Sequence, residues 1–115
     1  MVATSHHAAA ATWFAWPAAT RRLIRSGRDG ADLALLEVIE KERIAERFAG
    51  VTLGSGDGIF APAAARLQSL GCVVTVVSRR AGLSRQLRMA FRDVRYIDLP
   101  QAAVSAKVAS VRLSA

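Results

Sequence analysis

Apolar residues along the chain fall into short runs with two different spacings. Val51-Thr52-Leu53 and Val73-Val74-Thr75-Val76-Val77 are β-branched or aliphatic and too short for helices, so each reads as a strand. The unbroken run at 73–77 predicts a strand buried on both faces. Arg95-Tyr96-Ile97 reads as another short strand, ended by Asp98. These strands start 22 residues apart, near Val51, Val73 and Arg95. Helical spacing fills the intervals. Ala31 to about Phe48 reads as one helix, because Leu35 and Ile39, Leu36 and Ile39, and Ile44 and Phe48 are three or four apart. Glu37, Glu40, Lys41, Glu42, Arg43, Glu46 and Arg47 form its wet face, with a favourable Glu37–Lys41 pair and an unfavourable Glu42–Glu46 pair. Phe60 to Leu70 predicts a second helix, with Pro62 in its first turn, Leu67 and Leu70 inward and Gly71 as its stop. Ser84 can cap a third, short helix to Phe91, with Leu87 inward and Arg85, Arg88 and Arg92 outward.

Strands alternating with helices at this interval suit βαβ units with right-handed crossovers. The expected fold is α/β: a three-layer, Rossmann-like sandwich around a parallel sheet. The flanks are less regular. Met1 to Ser5 reads as a strand, and Ala18 to Ile24 as a strand or a helical turn. Trp13, Phe14 and Trp16, before Pro17, read as core or interface packing. His6 and His7 point to different sides of an extended chain and do not make a two-ligand site. A domain over 1–100 is expected, followed by a loose tail or a partner-ordered segment over 101–115, whose residues are small and alternating.

Composition narrows the class. The 115 residues are 52% hydrophobic with a mean hydropathy of +0.25, which suits one folded domain. No apolar run approaches the roughly 20 residues that cross a bilayer, so no membrane association is expected. No signal-peptide pattern is visible, and the one cysteine, Cys72, reads as an inert core thiol; both suit a cytoplasmic protein. The net charge is +7, and of 16 basic residues only Lys41 and Lys107 are lysine. Arginine forks suit phosphate, so one reading is a polyanion partner; the other is a solvated arginine-rich surface. Arg85, Arg88 and Arg92, at i, i+3 and i+7, fit a solvated helix face equally well.

The chemistry concentrates in Gly50 to Pro62, a strand, a turn with three glycines in five residues, and a helix start. Asp57 in that turn lies just past a strand's carboxyl end, where ligands bind in open parallel sheets. Ser78 to Arg80, Asp98 and Asp32 are expected at the same edge. A dinucleotide fingerprint would need glycine at Ile59, and there is no lysine for a phosphate-binding loop, so no nucleotide cofactor is expected. Two carboxylates at one edge suit a hard cation, Mg²⁺ or Mn²⁺, that orients a phosphodiester and activates water. Asp32 alone is also explained as the helix-dipole complement of a first turn.

A resemblance rests on these residues. Ser55-Gly56-Asp57-Gly58-Ile59-Phe60-Ala61-Pro62, then Leu67, Gly71, the valine strand, Leu83-Ser84-Arg85-Gln86-Leu87-Arg88 and Tyr96-Ile97-Asp98-Leu99 resemble the C-terminal half of NYN domains, the PIN-like ribonuclease group that includes LabA-type proteins. Gly30-Ala31-Asp32-Leu33-Ala34-Leu35 resembles the segment carrying that family's second acid. The resemblance implies a PIN-like fold and a metal-dependent nuclease acting on RNA. Asp32 and Asp57 match two of the family's metal-binding acids and Ser55 its small polar residue beside the metal. Arg79, Arg80, Arg85 and Arg88 would hold the RNA backbone. Two departures stand out. The family pattern continues Gly-Asp-Gly-Asp-Phe where this chain has Ile59, and its leading strand, ending in Asp and Asn, is expected to be missing ahead of Met1, whether because the start is truncated, because a neighbouring subunit completes the site, or because the chain is inactive. The fold is therefore expected to lack its first strand and to leave an apolar slot that a second copy, as in a homodimer, could cover. Asp29 and Asp98 are candidate replacement ligands. Two functions follow: a Mg²⁺- or Mn²⁺-dependent ribonuclease, or the same fold kept as an inactive RNA- or protein-binding module. A scaffold built on the tryptophan cluster is a further reading.

Overall fold

The computed structural model describes residues 1–5, 9, 20–97 and 108–114. His6, His7, Trp13, Phe14, Trp16, Pro17, Asp98 and Lys107 lie outside them, as do the expectations placed on those residues. Six strands form one sheet in the order β2-β1-β6-β3-β4-β5. They are β1 (Val2–Thr4), β2 (Arg22–Ile24), β3 (Gly50–Gly54), β4 (Val73–Ser78), β5 (Val94–Tyr96) and β6 (Val108–Ser114). β3, β4 and β5 are parallel neighbours, and so are β1 and β2. This is the α/β fold expected, and Ala18 to Ile24 resolves into a strand at Arg22–Ile24.

The stretch 108–114 is where the structure departs furthest from the expected tail. β6 runs antiparallel between β1 and β3, pairing Ala3 with Ala109 and Leu53 with Val111. Its alternation is a strand signal: Ala109 and Val111 are buried, while Ser110 and Leu113 are half-buried and Arg112 and Ser114 exposed. The slot expected to await a partner copy is filled by the chain's own β6.

Helix α1 spans Gly30–Lys41 and α2 spans Ile44–Arg47, so the single helix expected over 31–48 is broken. Arg43 sits at the break with φ of 54°. The reason is facial. At about 100° per residue, an unbroken helix would put Ile44 opposite Leu35 and bring Glu42 round to the core side. The break instead buries Leu35, Val38 and Ile44 together. It also removes the expected Glu42–Glu46 repulsion: Arg21 grips Glu42 through two 2.7 Å hydrogen bonds and Arg43 pairs with Glu46 at 2.6 Å.

A 3₁₀ turn over Gly58–Phe60 leads into α3 (Ala61–Ser69), and α4 spans Arg85–Ala90. The Ser84 cap is present, with its Oγ accepting from the Leu87 N–H at 3.2 Å. Gly71 ends α3 with φ of +96°. Leu67 is buried as expected, but Leu70, already past the last helical turn, is 59% exposed. β4 is buried on one side only: Val74, Val76 and Ser78 are inside, whereas Val73 is 67% exposed and Thr75 and Val77 half-buried. The core lies on the α1/α3 side of the sheet, around Phe60, Leu35, Val76 and Leu87. Cys72 belongs to it, its thiol donating to the Phe48 carbonyl at 3.2 Å.

Candidate metal centre and its arginine flank

The carboxyl ends of β1, β3, β4 and β5 meet at one edge of the sheet. Two loops there are locked together. Gly56 has no room for a side chain: a Cβ would run into the Gly82 carbonyl oxygen and the Ser78 hydroxyl. The Gly56 carbonyl in turn accepts from the Ser84 N–H at 2.7 Å. This close approach explains a glycine between Ser55 and Asp57, and it fastens the loop after β3 to the one after β4.

Within the first loop the backbone aims Asp57. Ser55 Oγ accepts from the Asp57 N–H at 3.2 Å, and Asp57 Oδ1 accepts from the Ile59 N–H at 3.0 Å, capping the 3₁₀ turn. Asp32 is the third residue of α1 and only 1% exposed. Asp29 precedes α1 in a left-handed conformation, φ 56°, a region that Asp tolerates better than most residues. Asp29, Asp32 and Asp57 each offer a carboxylate oxygen, and these three oxygens lie within 4.8 Å of one another. Asp32 and Asp57 thus converge, and Asp29 joins them. Its signal in the sequence is the i, i+3 spacing to Asp32. Such an all-oxygen donor set suits a hard divalent cation.

The segment that follows the next strand, β4, carries the arginines. Arg79 is half-buried after β4, and Arg80, Arg85 and Arg88 are exposed. None of these four, nor Arg92, forms an ion pair among the described residues. By contrast Arg21, Arg25, Arg43 and Arg47 are tied to Glu42, Glu37, Glu46 and Glu42. The sequence explains the difference. From Gly58 to Arg92 there is no acid and there are six arginines. Sequence reasoning did not single out Tyr96, which ends β5; the Arg80 guanidinium lies over its ring at 4.2 Å.

Ile59 faces elsewhere. It lines an open cleft of about 620 Å³ between α1, α2 and α3, with Leu36, Ile39 and Leu67, and with Glu40, Arg43, Glu46 and Arg66 also in its wall.

A model of the NYN domain matches residues 7–100. The chain belongs to the NYN domain family. No curated protein and no solved structure matches it. An NYN domain carries a PIN-like, nuclease-type fold, and the three close acids of this one form a group able to hold a metal ion. The match is to the NYN domain as a whole and does not separate LabA-type proteins from other members. No helix among the described residues is long and apolar enough to cross a membrane.

Proposed function

We propose that this NYN domain is a metal-dependent ribonuclease in which Asp29, Asp32 and Asp57 hold one divalent cation. The observation that carries this reading is the convergence of three carboxylates from two elements within 4.8 Å. Three acids so close, one of them 1% exposed, repel one another unless a cation or a shared proton intervenes. Magnesium or manganese bound there would supply a Lewis acid for the phosphodiester and lower the pKa of a water. The chain's own residues do the positioning. Ser55 and the Ile59 N–H fix Asp57. The Gly56–Gly82 contact holds the arginine loop beside it. Arg79, Arg80, Arg85 and Arg88 would grip the RNA backbone, their guanidinium forks matching phosphate. Replacing Asp57 by Asn should abolish Mn²⁺-dependent cleavage of single-stranded RNA while the circular dichroism spectrum stays unchanged. Cleavage at wild-type rate by that variant, or none by the wild type, would overturn the assignment.

Two observations favour a second reading, an RNA-binding module without turnover. Ile59 stands where the family pattern carries an acid and packs into the helix groove instead. Ser110 of β6 lies against Gly54, so closely that a Cβ on Gly54 would strike its hydroxyl. A serine of β6 therefore lies beside the end of β3, between β1 and β3. This reading expects RNA binding that weakens steeply with salt and no product at any divalent-ion concentration.

A further inference from the structure

The geometry points to a stacking subsite for an unpaired nucleobase at Arg80 and Tyr96, downstream of the acidic cluster along the sheet edge. Tyr96 is 39% exposed and Arg80 lies over its ring, guanidinium carbon 4.2 Å from the centroid. Tyr96 is the register partner of Ser78, and the Ile97 N–H donates to the Ser78 carbonyl at 3.0 Å. Ser78 in turn abuts Gly56, the neighbour of Asp57. Asp57, Ser78 and the aromatic ring therefore follow one another at the ends of β3, β4 and β5. Two strand spacings separate the ends, or about 10 Å.

Charge selects the ligand. The guanidiniums of Arg21 and Arg43 are neutralised by carboxylates. Arg80 has an aromatic ring instead, in a stretch of sequence without one acid between Gly58 and Arg92. Arg79, Arg85 and Arg88 follow β4 in the same stretch, and none of them forms an ion pair among the described residues. Flat cationic and aromatic groups bordered by free arginines suit a base with phosphates on either side. The base must be unpaired, because a duplex keeps its faces within its own stack. Stacking tolerates any base, so this subsite selects strandedness rather than sequence.

This inference rests on the RNA reading above, and the test separates the two. Binding is measured by fluorescence anisotropy in EDTA, so that cleavage plays no part. The probes are a labelled unpaired 12-nucleotide RNA, the DNA of the same sequence, and a blunt RNA hairpin whose two strands are joined by a non-nucleotide linker, so that it offers no unpaired base. Replacing Tyr96 by Leu removes the ring but keeps an apolar side chain on the edge strand. It should weaken unpaired RNA about 5- to 100-fold, as loss of one base stack does. The hairpin affinity should not change, and neither should the salt dependence for unpaired RNA. The Tyr96→Trp variant should restore tight binding. Replacing Arg80 by Gln should weaken binding and also flatten the salt dependence by about one phosphate contact. Equal weakening of the DNA identifies the base itself as the ligand; weakening confined to RNA shows that the sugar is read alongside it, and either outcome supports the subsite. If wild type binds RNA and Tyr96→Leu binds equally well, or loses affinity equally on the hairpin, the stacking subsite is wrong and the RNA reading stands. If wild type binds none of the probes, the RNA reading itself is wrong.

Discussion

Val111 offers the sharpest test of the architecture. It is 1% exposed at the middle of β6, opposite Leu53 on β3, and its N–H donates to the Met1 carbonyl at 3.0 Å. Val111→Ala removes two buried methyl groups. At about 0.8 kcal/mol per buried carbon, with a further cost for the cavity left behind, the loss should be about 2 kcal/mol. That is a large fraction of the roughly 5–15 kcal/mol that holds such a domain together. Arg112 is the internal control. One residue on, its side chain is exposed on the other side of the sheet, so Arg112→Ala should cost less than about 0.5 kcal/mol. Urea titrations followed by far-ultraviolet circular dichroism give both numbers. The midpoint should drop for Val111→Ala with an unchanged slope. A loose tail at 108–114 would leave both variants indistinguishable from wild type, and that result would refute the central placement of β6.

Three further predictions address the site and its surroundings. Mn²⁺ should raise the melting temperature of the wild type, by about 1.4 kcal/mol of stability at tenfold excess over Kd, and Asp29→Asn should shrink that gain in a thermal-shift titration; equal gains in both would remove Asp29 from the metal centre. Gly56→Ala should displace the loop after β3, lowering stability by about 1–3 kcal/mol in urea and abolishing the Mn²⁺ thermal shift, because the new methyl meets the Gly82 carbonyl. The paired hydrogen bonds from Arg21, reinforced by its charge, hold the Glu42 carboxyl below its ordinary value of 4.5. A lowered carboxylate pKa stabilises the fold above about pH 4.5 and ceases to do so as pH falls through the folded value. The stability gap between wild type and Glu42→Gln should therefore be present at pH 7 and close in acid; a gap independent of pH would show that the ion pair contributes nothing.

How much of this was legible follows from how local each signal is. β3, β4 and β5 with their helices could be read because each is encoded by its own run of residues, and the Ser84 cap and the inward Leu67 and Leu87 by their immediate spacing. The break at Arg43 could not be read, since the pattern from Leu35 to Phe48 satisfies a helix locally and only the shared core favours the bend. β6 did alternate as a strand should. What hid it was its distance from both partners, about 55 residues from β3 and over 100 from β1. At the site, Asp57 announced itself through its glycine loop and Asp32 through the family resemblance. Asp29 needed its left-handed backbone, and Tyr96 needed the register that sets it beside Ser78.

Because β6 is the strand hydrogen-bonded between β1 and β3 among the described residues, the sheet cannot close in the order in which it is written. While the chain is being synthesised, the β1–β2 pair and the β3–β4–β5 unit share α1 and its core but lack the strand between them, each with an open edge, until that segment emerges. Folding must wait for those late residues, and a chain stalled or clipped before Val108 would present two sticky half-sheets to the cell rather than a slightly weakened domain.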